Sequence, residues 1–155
     1  MNFHNRSDAL IDLLEALTDA GYEYVLVGGY AVSAFNARFS TDLDVVVAPD
    51  SKRAFVEFLE DRGFEKTDSH AKKWVYDTEV IEYEKRLEPQ QPIGFDLLVN
   101  GLGCRQTAAQ WSFDYLYDHS HHQTVSGGTG TTTARVVNGA VLVAAKLHSG
   151  RETDL

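Results

Sequence analysis

The sequence predicts an α/β (α+β) fold in which a small mixed β-sheet is flanked by helices on one side. Three observations predict it: amphipathic helical patterns alternate with short apolar runs of strand length, glycine and proline punctuate the boundaries, and no internal repeat is present. A chain of 155 residues with 43% hydrophobic content can bury a core of its own, and a single domain over residues 1–155 is expected.

Ser7 to Ala20 carries Leu10, Ile11, Leu14 and Leu17 at helical spacing, with Asn5 or Ser7 as N-cap and Gly21 as the stop. The run Tyr24-Val25-Leu26-Val27 reads as a buried strand, Gly28-Gly29 as a sharp turn, and Tyr30 to Ala37 as a second helix. Leu43 to Ala48 is an apolar strand ended by Pro49-Asp50. Ser51 is expected to cap a third helix running through Arg62, with Ala54, Phe55, Phe58 and Leu59 as its buried stripe and Gly63 after it.

From Phe64 to Asn100 the pattern changes to strands, at Lys73–Tyr76, Val80–Tyr83 and Ile93–Val99, with a loop from Pro89 to Pro92. Ala108, Trp111, Tyr115 and Leu116 predict a helix over Arg105 to Tyr117. His119 to Thr133, polar and rich in Gly and Thr, predicts a loop with one short strand, and Val137 to His148 predicts a last helix.

Composition narrows the function classes. A net charge of -9, with 23 acidic against 14 basic residues, excludes a protein that coats nucleic acid with its whole surface. No apolar run reaches the roughly 18 residues of a membrane span, and the first residues lack a signal-peptide core, so a cytoplasmic location with no membrane partner is expected. Cys104, the single cysteine, excludes an intrachain disulfide and fits a reducing compartment.

The chemistry concentrates in Gly28-Gly29 and Asp42-Leu43-Asp44. A glycine turn between a strand and a helix N-terminus suits phosphate, and residues two apart on a strand share a face, so Asp42 and Asp44 point the same way. Side-by-side carboxylates repel unless a cation lies between them, and Mg²⁺ is the natural one. Asp96 interrupts the apolar run Phe95-Asp96-Leu97-Leu98-Val99, where a charge is costly unless paired or bound to metal. If its strand lies beside that of Asp42 and Asp44, three carboxylates converge. A lone strand aspartate is more commonly a solvated end or an ion pair, but three together with the glycine pair favour a metal site for phosphoryl chemistry. The glycine turn lacks the third glycine and the distal acid of a dinucleotide fold, which excludes NAD.

Val27-Gly28-Gly29, the run Arg38 to Val47 with its Asp-x-Asp, and Asp96 resemble the DNA polymerase β-like nucleotidyltransferase superfamily. The Arg-x-Ser-x-Asp-x-Asp form and the ending Ala145 to Leu155 resemble the AbiEii toxin group within it. That resemblance implies the nucleotidyltransferase fold and Mg²⁺- or Mn²⁺-dependent transfer of a nucleoside monophosphate from an NTP to a hydroxyl. The acceptor it implies is a tRNA or a protein, in a toxin–antitoxin setting. It implies that Asp42, Asp44 and Asp96 bind metal and are catalytic, with Asp96 activating the acceptor. Gly28 and Gly29 would hold the β- and γ-phosphates, Lys146 would neutralise triphosphate charge, and Arg38, Ser40 and Arg151 would touch nucleotide, with Asp154 behind them. Ion pairs with nearby acids are the alternative for Arg38 and Arg151. Most of the helical C-terminal region of larger relatives is missing, so a partner protein or homodimer is expected to complete acceptor binding. The alternative function is a non-catalytic, antitoxin-like nucleotide-binding partner.

The remaining signals are weaker. His70, His119, His121 and His122 lack convincing zinc spacing and read as a solvated loop. Trp74, Tyr76, Trp111 and Tyr115 read as core, and Lys72, Lys73, Lys85 and Arg86 as exposed strand ends rather than a polynucleotide patch.

Overall fold

The structure, a computed structural model, describes residues 3–27, 42–67, 73–75, 78–86, 92–104, 109–126 and 130–139. Helix α1 (Phe3–Asp19) is followed by β1 (Val25–Val27) and β2 (Asp42–Val47). A 3₁₀ turn (Pro49–Ser51) then leads into α2 (Lys52–Asp61). Strands β3 (Glu65–Lys66), β4 (Lys73–Val75), β5 (Thr78–Lys85) and β6 (Ile93–Val99) come next. The hairpin β7 (Gly101–Cys104) and β8 (Ala109–Ser112) precedes α3 (Phe113–Asp118), β9 (Ser120–Ser126) and β10 (Thr131–Val137).

Among the described residues eight strands form one mixed sheet in the order β3-β5-β6-β2-β1-β10-β9, with β4 also pairing β5. The pairs β2·β6 and β1·β10 are parallel and the others antiparallel. One face of the central strands carries Leu43, Val45 and Val47 beside Phe95, Leu97 and Val99, all buried. Leu10, Leu14 and Leu17 of α1 and Phe55 and Leu59 of α2 join them in a single core. Phe64 packs edge-on to Phe95 at 6.3 Å, and Tyr22 contacts Phe55 and Phe58 at 5.1 and 5.3 Å. The α/β class and the mixed sheet are therefore as the sequence predicts, with ten strands among the described residues where the pattern marked five and one short strand in 119–133.

Several local expectations are corrected. Helix α1 starts at Phe3, so neither Asn5 nor Ser7 is its N-cap. Gly21 does end it, at φ 79°, and Gly63 closes α2 at φ 86°, where the absence of a Cβ permits the left-handed turn. Ser51 makes no side-chain cap; the 3₁₀ turn delivers the chain into α2 instead. Of the helix expected over 105–117, residues 105–108 lie outside the described residues, and the rest is instead strand β8 followed by the short α3. Ser112 explains the boundary: its Oγ accepts a hydrogen bond from Tyr115 N at 3.1 Å, capping a helix that begins after it. Gly101 lies so close to the Trp111 carbonyl that a Cβ would clash with backbone, which is the tight approach of a hairpin.

The polar stretch expected as a loop with one short strand forms β9 and the start of β10, because Val125, Ala134 and Val136 fill the core while His122, Thr124, Thr131 and Thr133 at alternate positions are exposed. His119, His121 and His122 accordingly sit at the start of a strand. Val137 ends β10 rather than opening a helix. Tyr115, expected on an inner face, is 43% exposed. The predicted helices at 30–37 and beyond Ala140, the 89–91 loop, His70, Lys72 and Tyr76 lie outside the described residues. No helix among the described residues is long and apolar enough to cross a membrane.

Tyr83 is the costly residue of the core. Its hydroxyl is buried without a hydrogen-bond partner among the described residues. Burial pushes its pKa up, and the Glu60 and Glu79 carboxylates add to the shift. Tyr83→Phe is expected to leave stability unchanged or raise it by about 1 kcal/mol. A raised folded-state pKa means that stability is complete below the unfolded value near 10 and falls as pH rises through the folded one. Urea midpoints at neutral and strongly alkaline pH should therefore differ less in Tyr83→Phe than in the parent.

Candidate active site

The site is built on the sheet face opposite Leu43, Val45, Phe95 and Leu97. Strands β2 and β6 run parallel, with Asp42 opposite Gly94 and Asp44 opposite Asp96. Register partners on adjacent strands share a face, as do residues two apart, so Asp42, Asp44 and Asp96 all project to the same side. Adjacent strands lie about 4.8 Å apart, which makes Asp44 and Asp96 immediate neighbours. Asp42 is exposed, while Asp44 and Asp96 are half-buried. The condition set by the sequence, that the strand of Asp96 lie beside that of Asp42 and Asp44, is thus met in the backbone.

Two features of this face escaped the sequence reading. Gly94 sits between strands with the Asp42 carboxylate lying over it, where a Cβ would come within 3.1 Å of Asp42 Cγ. A glycine inside a strand is the signal that marks such a close approach. The second is β5, which pairs Glu82 with Asp96 and Glu84 with Gly94. Buried Ile81 and Tyr83 alternate with these glutamates, so Glu82 extends the Asp44–Asp96 row and Glu84 extends the Asp42–Gly94 row.

Oxygen donors of this kind suit a hard divalent cation such as Mg²⁺. Among the described residues no three His, Cys, Asp or Glu side chains are grouped so as to hold a metal ion. The match to a metal therefore lies in the donor chemistry and in the strand register that aligns the donors. Gly28, Gly29, Arg38, Ser40, Lys146, Arg151 and Asp154 lie outside the described residues.

The sequence profile of the aminoglycoside-2''-adenylyltransferase family matches residues 9–90, just over half of the 155-residue chain. The chain belongs to that family. It is a nucleotidyltransferase, in agreement with the superfamily that the glycine turn and the Asp-x-Asp resemble. A comparison with curated protein sequences gives no match. Among solved structures, a nucleotidyltransferase from Thermotoga maritima (TM1012) is similar with a TM-score of 0.66 and 11% identity, covering 97% of this chain and 88% of that one. The lincomycin-bound lincosamide antibiotic adenylyltransferase LnuA is similar at a TM-score of 0.56 and 14% identity, covering 95% and 90%. At these identities the likeness is one of fold, and it places the chain in the nucleotidyltransferase fold. The resemblance to the AbiEii group rests in part on residues 145–155, which lie outside the matched span.

Proposed function

We propose that the chain transfers a nucleoside monophosphate from an NTP to a hydroxyl of a small amine-bearing acceptor, with Mg²⁺ or Mn²⁺, releasing pyrophosphate. The observation that carries this reading is the register of Asp44 with Asp96, with Asp42 two residues away on the same face. In it the acceptor oxygen forms a bond to the α-phosphorus as the bond to the β-phosphate oxygen breaks, and Asp96 takes the acceptor's proton. Asp42, Asp44 and Asp96 would hold the divalent ion, which supplies charge neutralisation and acidifies a bound hydroxyl. Gly28, Gly29 and Lys146 would hold the triphosphate, Arg38, Ser40 and Arg151 would touch nucleotide, and Asp154 would brace them.

The acceptor class rests on two supports. The family's name specifies an aminoglycoside and LnuA's a lincosamide, both small hydroxyl-bearing antibiotics. The chain's own chemistry agrees: a net charge of -9 and two glutamates beside the catalytic row favour a cationic acceptor over a polyanion. A tRNA or protein acceptor in a toxin–antitoxin setting is the reading carried by the Arg-x-Ser-x-Asp-x-Asp and C-terminal resemblance.

Calorimetric titration with ATP is expected to show binding that requires Mg²⁺ or Mn²⁺ and disappears in Asp42→Ala and Asp44→Ala. Undiminished binding in both variants would remove the metal-site reading. Incubation with labelled NTPs and a panel of aminoglycosides, lincosamides, tRNA and protein then separates the acceptor classes, with label expected on an amine-bearing antibiotic.

A further inference from the structure

We propose that β9 is a self-association edge, through which two copies of this chain pair antiparallel into one continuous sheet. Among the described residues the two edges of the sheet are built differently. At one end lie β3, two residues long with Glu65 and Lys66 both exposed, and the three-residue β4 starting at Lys73. Short, charged strands of this kind resist pairing with another chain. At the other end lies β9, Ser120-His121-His122-Gln123-Thr124-Val125-Ser126, seven residues with no Asp, Glu, Lys, Arg or Pro. In a chain of net charge -9, this edge is where a second copy meets least repulsion.

The hydrogen-bond phase decides which groups face outward. Asn138 N donates to His119 O at 2.7 Å, continuing the β9–β10 register as a hydrogen-bonded pair. Bonded and non-bonded pairs alternate along an antiparallel ladder, so Ser120, His122, Thr124 and Ser126 are in the non-bonded positions and aim N–H and C=O away from β10. A two-fold axis at Gln123 sets His122 against Thr124 and Ser120 against Ser126 of the other copy. All four are outward-facing residues, so every such pair can exchange two bonds. A second observation lies at the strand's entrance. Tyr115, the exposed large hydrophobic among the described residues, stacks on His119 at 4.0 Å and 23°, presenting an aromatic surface beside the pairing edge.

Sedimentation over a dilution series is the test. The full chain is expected to reach twice its 17.2 kDa mass as concentration rises. Thr124→Pro removes an outward N–H without touching the β10 ladder and Thr124→Glu adds charge to the edge; both are expected to remain monomeric with unchanged circular dichroism. At the axis the two Gln123 residues form a non-bonded pair, with Cα atoms about 4.5 Å apart and within disulfide reach. In a Cys104→Ser background, Gln123→Cys is therefore expected to form a disulfide-linked dimer. A monomer at all concentrations, a dimer unaffected by Thr124→Glu, or failure of Gln123→Cys to cross-link would overturn the proposal.

Discussion

Asp44→Asn and Asp96→Asn are each expected to lower kcat/KM for nucleotidyl transfer by about 10³-fold, with little change in stability. The two aspartates are register partners on parallel strands, and Glu82 extends the row on the other side of Asp96. Two carboxylates about 6 Å apart at an effective dielectric constant near 20 repel by on the order of 3 kcal/mol. Asn keeps the shape and removes the charge, so it relieves that repulsion in the metal-free protein. The same exchange removes an anionic oxygen donor from the site proposed to carry the metal and the acceptor's proton. Losing a single preorganised donor at a reacting centre costs about 10² to 10³ in rate, and a charged metal ligand stands at the upper end of that scale. Steady-state transfer rates combined with Tm without added metal test both halves. A variant that loses activity and stability together would point to a folding role for the carboxylate. One that keeps activity would place the chemistry elsewhere.

A second reading of the same pair comes from metal-dependent stability. Mg²⁺ that binds only the folded state raises Tm by mass action, and the shift should shrink in either Asn variant. That measurement needs no knowledge of the acceptor.

How much of this was legible depended on whether a residue's role was local. Leu43, Val45, Phe95 and Leu97 were readable as strand core because alternation is a property of the strand itself. Gly21 and Gly63 were readable as helix stops for the same reason. The 109–117 segment was misread because Trp111, Tyr115 and Leu116 mimic helical spacing across two elements, a strand and a short helix, whose junction is marked by Ser112. The 119–133 segment was misread because an edge strand buries only one side; Val125 and Ala134 alone announce a core. In the site, Asp42 and Asp44 were legible from their spacing and Asp96 from its cost in an apolar run. Glu82 was not, since its place depends on β5 pairing β6 in one register out of many. Gly94 was likewise silent, its lack of a side chain mattering only once Asp42 lies over it.

Gly94→Ala is expected to reduce transfer activity by about 10- to 100-fold with a change in stability of no more than about 1 kcal/mol. The added Cβ would come within 3.1 Å of Asp42 Cγ and clash with its carboxylate, whereas no backbone atom is among its nearest neighbours. Asp42 is exposed and is the first residue of β2, so its side chain has room to swing aside. Replacing glycine within a strand also limits the unfolded chain, a gain of about 0.4 to 1 kcal/mol that offsets the crowding. The catalytic consequence is larger, because displacing a reacting group by about 1 Å can cost on the order of 10² in rate. A double-mutant cycle with Asp42→Ala isolates the cause. If Gly94→Ala acts only by moving Asp42, it should cost nothing further once Asp42 is gone, giving strong non-additivity in kcat/KM and, in Tm, a coupling no larger than the relieved crowding. An equal loss in both backgrounds would mean that Gly94 makes room for the bound nucleotide itself, and that the space above the Asp42–Gly94–Glu84 row belongs to substrate rather than to the Asp42 side chain.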